Sequence, residues 1–211
     1  MSSTLLEPEA TVTVASPRDV VDKLSLYLWT PVQYRQMAEA GILAEGEKVE
    51  LIEGVIVRKM TRNAPHGAIL QIAHRHLFTL VSGKWEVRSQ SAIITNDSEP
   101  EPDLAVVPGP VGRYGVEHPS SSEVLFVIEI ADSSLALDRR KASIYARGGV
   151  PVYWIVNVAD RQLEVFSEPD LLKGVYLRHD ILTEDKLADF TLAGEKYGPL
   201  PVRDFLLPVR L

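Results

Sequence analysis

The sequence predicts an α/β (α+β) fold, and three patterns indicate it. Apolar side chains recur at spacings of three and four over residues 66–80, as on one face of a helix. The apolar segments VLFVIEIA and PVYWIVNV are typical of buried strands, and RQLEVF alternates like a strand of an antiparallel hairpin. With 211 residues, 45% hydrophobic and 24% charged, we expect one domain over 25–211. Residues 1–24 have no sustained period and are expected to form a flexible arm.

Short elements are predicted before the first long helix. Thr30 and Pro31 favour a helix start, and Gly41 favours its end. The segment VELIEGVIVRKM predicts two strands around a two-residue turn at Glu53-Gly54, where glycine tolerates positive φ. The long helix that follows carries His66 near its start.

From residue 85 onwards the sequence predicts three strands, then one helix, then further strands. WEVRSQSAIIT, DLAVV and VLFVIEIA are three strand candidates in succession. A helix is expected from Ser133 to Gly149, started by Ser134 or Asp138, and PVYWIVNV follows it as a buried strand. A hairpin partner over 160–168 and two or three further short strands complete the prediction.

Composition and charge limit the function classes. The chain has no cysteine, so a bound metal would need carboxylates, carbonyls or imidazoles, and carboxylate oxygens suit magnesium or manganese. A net charge of −7 argues against non-specific coating of nucleic acid, but a local basic groove remains compatible with a nuclease. Without a long apolar run or a signal-peptide pattern, we expect a cytoplasmic protein with no membrane partner.

Two acidic residues stand at positions that favour chemistry. Asp103 follows Pro102 at the mouth of a strand, although an Asp that caps a turn is the alternative. Glu129 interrupts an apolar strand, where an ionised carboxylate is costly unless it is paired or binds a cation. The alternative for Glu129 is a strand-end residue that faces solvent or pairs with an arginine.

The helix after Glu129 offers a third group. Asp138, Lys141 and Tyr145 have the spacing i, i+3 and i+7, so they share one helix face that could look back at the strand end. The alternative is a solvated surface, with Asp138 as a cap and Lys141 as one charge of a basic run.

These residues together resemble the PD-(D/E)XK nuclease superfamily. A Pro-Asp is followed 26 residues later by Glu129 and then by a lysine, although position 131, where the superfamily has lysine, is Ala. Lys141 is the natural substitute. The ordered segments ELIEG, HG, EPDLAVV, VIEIADSS and DRRKASIYARGGVPVYWIV, between Thr30 and Phe166, further resemble the bacterial Uma-type restriction endonuclease family.

The resemblance implies a restriction-endonuclease-like mixed central sheet flanked by helices, with extra antiparallel hairpins. It also implies that Asp103 and Glu129 bind Mg²⁺ (or Mn²⁺) and that Lys141 completes the site. Glu50 would be a further acidic contributor. His66 would be a positioning or proton-transfer group, or else a helix-start histidine satisfied by the backbone.

The resulting prediction is a metal-dependent endonuclease that hydrolyses phosphodiester bonds in DNA and acts as a homodimer, so that two sites face two strands. The alternative is a non-catalytic binding or assembly module with a nuclease fold, motivated by Ala131. That alternative predicts that Lys141 points away from Glu129. A glycosidase is disfavoured because the sequence shows no aromatic sugar platform.

Overall fold

The protein is described by a computed structural model over residues 26–44, 46–60, 63–81, 83–110 and 112–208. The predicted arm over 1–24 lies outside these residues. No helix in the described ranges is both long and apolar enough to cross a membrane.

The described residues form three helices and twelve strands. In order they are α1 (Pro31–Glu39), β1 (Val49–Ile52), β2 (Val55–Arg58), α2 (Ala64–Val81), β3 (Trp85–Ser89), β4 (Leu104–Pro108), β5 (Phe126–Ala131), α3 (Leu135–Arg147), β6 (Val152–Asn157), β7 (Gln162–Asp170), β8 (Val175–Thr183), β9 (Leu187–Ala188), β10 (Thr191–Leu192), β11 (Glu195–Lys196) and β12 (Leu200–Pro201). Short 3₁₀ turns cover Ser121–Glu123 and Val202–Phe205.

A six-stranded mixed sheet forms the centre of the fold, in the order β3-β4-β5-β6-β7-β8. Strands β5 and β6 are parallel, and the helix α3 makes the crossover between them. The other neighbouring pairs are antiparallel. The strands β1 and β2 form a separate hairpin, and the last four strands form two small antiparallel pairs. The predicted α+β class with a mixed central sheet is therefore confirmed.

Apolar layers cover both faces of the sheet, and the central strands β5 and β6 are therefore buried on both sides. Helix α2 packs on one face, together with Trp154 and residues of the C-terminal segment such as Phe190 and Phe205. Helix α3 packs on the other face, where Tyr145 and Tyr153 lie in contact. The central strands therefore lie between two apolar layers.

Local sequence signals explain the early elements. Thr30 caps α1, and its side chain and that of Gln33 each accept a hydrogen bond from the other residue's backbone N–H. The β1–β2 turn has positive φ at both Glu53 (49°) and Gly54 (79°), as a tight hairpin turn requires.

Two predicted strand regions differ from the structure. The segment 85–95 was expected to be one strand, but β3 ends at Ser89 because Gln90 has a φ of 50° and leaves the extended conformation. The C-terminal region has one nine-residue strand, β8, and four strands of two residues, rather than two or three short strands. No side chain of β8 is buried, so its sequence carries no alternation of buried and exposed positions.

Candidate active site

The antiparallel register of β4 and β5 brings Asp103 beside Glu129. Leu104 pairs with Ile128, so the residue before Leu104 lies opposite the residue after Ile128. The backbone N–H of Asp103 donates to Glu129 Oε2 at 3.2 Å, and the N–H of Ile130 donates to Asp103 Oδ2 at 2.9 Å. Both carboxylates are buried. The sheet register thus converts a sequence separation of 26 residues into a direct contact.

Helix α3 delivers Lys141 and Tyr145 to the same carboxylate. The two residues are four apart and share a helix face. The Lys141 ammonium lies 3.1 Å from Glu129 Oε1, and the Tyr145 hydroxyl donates to that oxygen at 3.1 Å. Lys141 therefore points towards Glu129, the opposite of what the non-catalytic alternative predicts. Asp138 lies buried one turn earlier, where its carboxylate accepts from the hydroxyl of Ser134.

The β1–β2 hairpin contributes Glu50. Its Oε1 lies 3.2 Å from the Lys141 ammonium, and its Oε2 accepts from the backbone N–H of Glu101 at 3.1 Å. The hairpin is attached to this segment because the N–H of Glu99 donates to the carbonyl of Leu51 at 2.7 Å. One ammonium thus bridges carboxylates from two different strands.

The imidazole of His66 connects α2 to the acidic pair. Its Nδ1 lies 3.1 Å from the carbonyl oxygen of Ile130, and its Nε2 lies 3.1 Å from Asp103 Oδ1. A backbone carbonyl oxygen can only accept a hydrogen bond, so Nδ1 is a protonated nitrogen that donates to Ile130, and Nε2 is left facing the carboxylate of Asp103. The backbone therefore provides a hydrogen-bond partner for only one of the two ring nitrogens, Nδ1. The other side holds Asp103.

Burial and the proximity of like charges shift the pKa values of the acids in this cluster. Burial raises the pKa of Glu129 to about 8, with further increases from Asp138, Asp103 and Glu50 and an opposing decrease from Lys141. Burial likewise raises the pKa of Asp138 to about 6, against the lowering effect of Lys141. For Lys141 burial acts to lower the pKa, but the surrounding carboxylates outweigh it and raise the pKa above its ordinary value. The cluster holds more acidic than basic side chains, so an added cation would reduce the repulsion between the carboxylates.

The cluster borders a cavity of about 60 Å³, which has room for a small ion and several waters. Four polar side chains at the rim were missed by sequence reasoning. Lys59 forms an ion pair with Glu101, and Asn63 donates a hydrogen bond to Asp132. Only the EPEPD run, which places Glu101 two residues before Asp103, gave a signal in the sequence.

The sequence profile of the Uma2 family, described as "Putative restriction endonuclease", matches residues 31–195. The chain belongs to this family. No curated protein matches the sequence.

The Uma2-family fold has a counterpart among solved structures. A crystal structure from Anabaena variabilis, described as a "putative nuclease belonging to DUF820", superposes with a TM-score of 0.63 and 18% sequence identity. The match covers 80% of this chain and 96% of the other. This likeness establishes a shared fold.

The carboxylate oxygens of the candidate site are the kind of ligand that magnesium and manganese prefer. Within the described ranges, no three His, Asp or Glu side chains are grouped so as to hold a metal by themselves. Magnesium commonly binds through one or two carboxylates and completes its shell with waters and substrate phosphates. Asp103 and Glu129 can provide those two carboxylates, because a carboxylate oxygen can accept a second partner beside a hydrogen bond.

Proposed function

We propose that this Uma2-family chain is a metal-dependent endonuclease that hydrolyses phosphodiester bonds in DNA. One observation carries the proposal: the Lys141 ammonium contacts Glu129 although position 131 is Ala. An acid, acid and lysine set therefore exists in space although the lysine comes from a helix. The family membership and the shared fold support the same conclusion.

Each side chain has a chemical role in this proposal. Asp103 and Glu129 would hold the metal, which when bound activates water and stabilises charge on the phosphate. Lys141 provides a fixed positive charge beside the attacked phosphate and lowers the energy of the anionic transition state. Glu50 holds the Lys141 ammonium from the far side, and His66 fixes the orientation of Asp103.

We further propose that the active form is a homodimer. A single site cleaves one strand, so cleavage of both strands of a duplex in one encounter needs two sites that face opposite strands. The rotation that relates two identical copies matches the pseudo-twofold symmetry of duplex DNA. Analytical ultracentrifugation with and without a DNA duplex tests this part of the proposal, and a monomer under both conditions contradicts it.

The test pairs metal binding with plasmid cleavage. We expect calorimetry to detect Mg²⁺ or Mn²⁺ binding to the wild type, and plasmid cleavage to depend on the metal. Glu129→Gln should lose both, whereas Lys141→Met should lose cleavage and keep most of the metal affinity. Glu184→Gln, a surface carboxylate paired with Arg161, is the matched control and should keep both.

Other outcomes separate the proposal from its alternative. Metal binding without cleavage of duplex, single-stranded or structured DNA would contradict the DNA substrate. A wild type that neither binds metal nor cuts would favour the non-catalytic binding module. Equal cleavage by Glu129→Gln and wild type would show that a different site performs the reaction.

A further inference from the structure

A second buried carboxylate, that of Glu164 on β7, lies on the same face of the sheet as Glu129. Strand pairing places Glu129, Ile155 and Glu164 in one row across β5, β6 and β7, and directly paired side chains share a face. Glu164 is fully buried. The proposed metal site uses Glu129 at one end of this row and makes no use of Glu164. Because a buried carboxylate is costly without compensation, the partners of Glu164 are informative.

The guanidinium of Arg139, on α3, binds both carboxylate oxygens of Glu164. Arg139 Nε donates to Oε1 at 3.1 Å and to Oε2 at 3.0 Å, and Nη2 donates to Oε1 at 2.6 Å. From β8, His179 Nε2 lies 3.2 Å from Glu164 Oε2, and the imidazole stacks on Phe166. A planar guanidinium that binds both oxygens has a defined orientation, so this contact fixes direction as well as distance.

Arg139 and Lys141 extend from opposite sides of α3. Residues two positions apart in an α-helix differ by about 200° around the helix axis. Lys141 contacts Glu129 on β5, on one side of the helix. Arg139 contacts Glu164 on β7, on the other side. The strands β5 and β7 are two strand spacings apart, about 10 Å, which is close to the diameter of an α-helix. Helix α3 is therefore held between two cation–carboxylate contacts.

Rotation of α3 about its axis would move the Lys141 ammonium. A group about 6 Å from the axis moves about 1 Å when the helix turns by about 10°. Misplacement by that distance can lower a reaction rate about 100-fold. Apolar contacts beneath the helix are not directional. Tyr153 donates to the backbone carbonyl of Asp138 at 2.9 Å, but backbone atoms lie close to the axis and resist rotation weakly. The Arg139 contact is at the periphery, where it opposes rotation effectively.

We propose that Glu164 and Arg139 are positioning residues for the nuclease reaction, which fix the rotation of α3 and thereby the distance from the Lys141 ammonium to Glu129. His179 supports them by holding Glu164 from β8. Neither Glu164 nor Arg139 lines the catalytic cavity, so their effect on the reaction passes through α3. The proposal rests on the nuclease function and adds these residues to it.

Steady-state plasmid cleavage at saturating Mg²⁺ separates positioning from binding. Glu164→Gln and Arg139→Met should lower kcat at least about tenfold. The KM for the plasmid and the Mg²⁺ affinity by calorimetry should stay within about threefold of wild type, because neither residue contacts the metal site. Arg139→Lys should recover part of the activity, since an ammonium keeps one contact with Glu164. Glu184→Gln and Arg161→Met break a surface pair of the same residue types and should cleave like wild type.

The position of the Lys141 ammonium can also be measured without cleavage. Heteronuclear NMR detects a buried ammonium because burial slows its proton exchange with water, and the signal missing from Lys141→Met identifies it. This signal should shift or disappear in folded Glu164→Gln and Arg139→Met. It should stay in place in Glu184→Gln. A purely structural pair would lower stability without moving the signal.

The outcomes distinguish this proposal from the nuclease function. Circular dichroism verifies folding, and Arg139→Lys, with a smaller shift expected, replaces any variant that does not fold. An unmoved Lys141 signal overturns the proposal, as does wild-type kcat in folded Glu164→Gln and Arg139→Met. A loss of kcat that equals the loss of metal affinity also overturns it. If the wild type does not cut DNA but the signal moves in the variants, the positioning of Lys141 is supported and the nuclease function fails alone.

Discussion

Replacing Lys141 by methionine removes the ammonium group and keeps a flexible apolar side chain of similar length. The ammonium lies 3.1 Å from Glu129 and 3.2 Å from Glu50, and all three side chains are buried. At an effective dielectric constant of about 20, each contact corresponds to about 5 kcal/mol of Coulomb energy. Burial of the ammonium opposes this gain by several kcal/mol. We therefore expect Lys141→Met to lower the free energy of unfolding by about 3–5 kcal/mol at pH 9, above the pKa of about 8 that burial gives Glu129.

Urea denaturation without and with Mg²⁺ measures the effect. If Mg²⁺ binds the acidic cluster, a free Mg²⁺ concentration of about 100 times the dissociation constant should raise the free energy of unfolding of the variant by about 3 kcal/mol. The double variant Lys141→Met/Glu129→Gln should be more stable than Lys141→Met alone, because it removes one unbalanced charge. Lys173→Met is the matched control: its ion pair with Asp170 lies at the surface, so the free energy of unfolding should stay nearly unchanged.

Two results would refute this reasoning. If the free energy of unfolding falls by less than about 1 kcal/mol in Lys141→Met, the ammonium does not stabilise the buried carboxylates. A loss of the expected size that Mg²⁺ leaves unchanged would mean that the cluster does not accept a divalent cation.

Three further predictions concern stability. Burial raises the pKa of Glu99 to about 7 from 4.5, so its folded pKa exceeds its unfolded pKa, and the wild type should lose up to about 3 kcal/mol as the pH rises from 4.5 to 7. Glu99→Gln should lack this loss in urea titrations across that range; equal pH profiles would contradict the prediction. Gly54→Ala combines a φ of 79° with a new Cβ only 2.7 Å from another Cβ, so thermal melts should show it less stable than Gly46→Ala, which has a φ of 77° and open space. Tyr145→Phe removes a buried hydrogen bond to Glu129 and should cost about 1.5–3 kcal/mol in urea, whereas no change would mean that Lys141 alone satisfies the carboxylate.

Much of the fold was readable because local signals and burial agree. Thr30 caps α1 as predicted, and the Glu53-Gly54 turn has the positive φ angles that its sequence favours. The acid at position 129 stands out in an apolar strand, and the i, i+3, i+7 spacing after it identifies the helix face that contacts it. In these places a short stretch of sequence determines both conformation and orientation.

Other features depend on contacts between distant segments. Nothing local to Glu50 shows that it meets Lys141, since that contact requires the β1–β2 hairpin to dock beside β4. Glu164 alternates with apolar neighbours and would be assigned to the solvent face, yet it is fully buried against Arg139 and His179. The Glu99 and Arg35 pair likewise joins residues 64 positions apart, and only the folded chain brings them together.

The origin of Lys141 on a helix also affects how the site can change during evolution. Because the lysine is not on β5, position 131 is an ordinary core position, and its alanine packs beneath α3 with 1% exposure. The spacing between ammonium and carboxylate is then determined by the apolar contacts that hold α3 on the sheet. A substitution that changes the volume of an apolar side chain between α3 and the sheet would shift Lys141 relative to Glu129 without altering any charged residue. Selection acting on core volume can thereby change the position of the Lys141 ammonium relative to Glu129 while both residues stay the same.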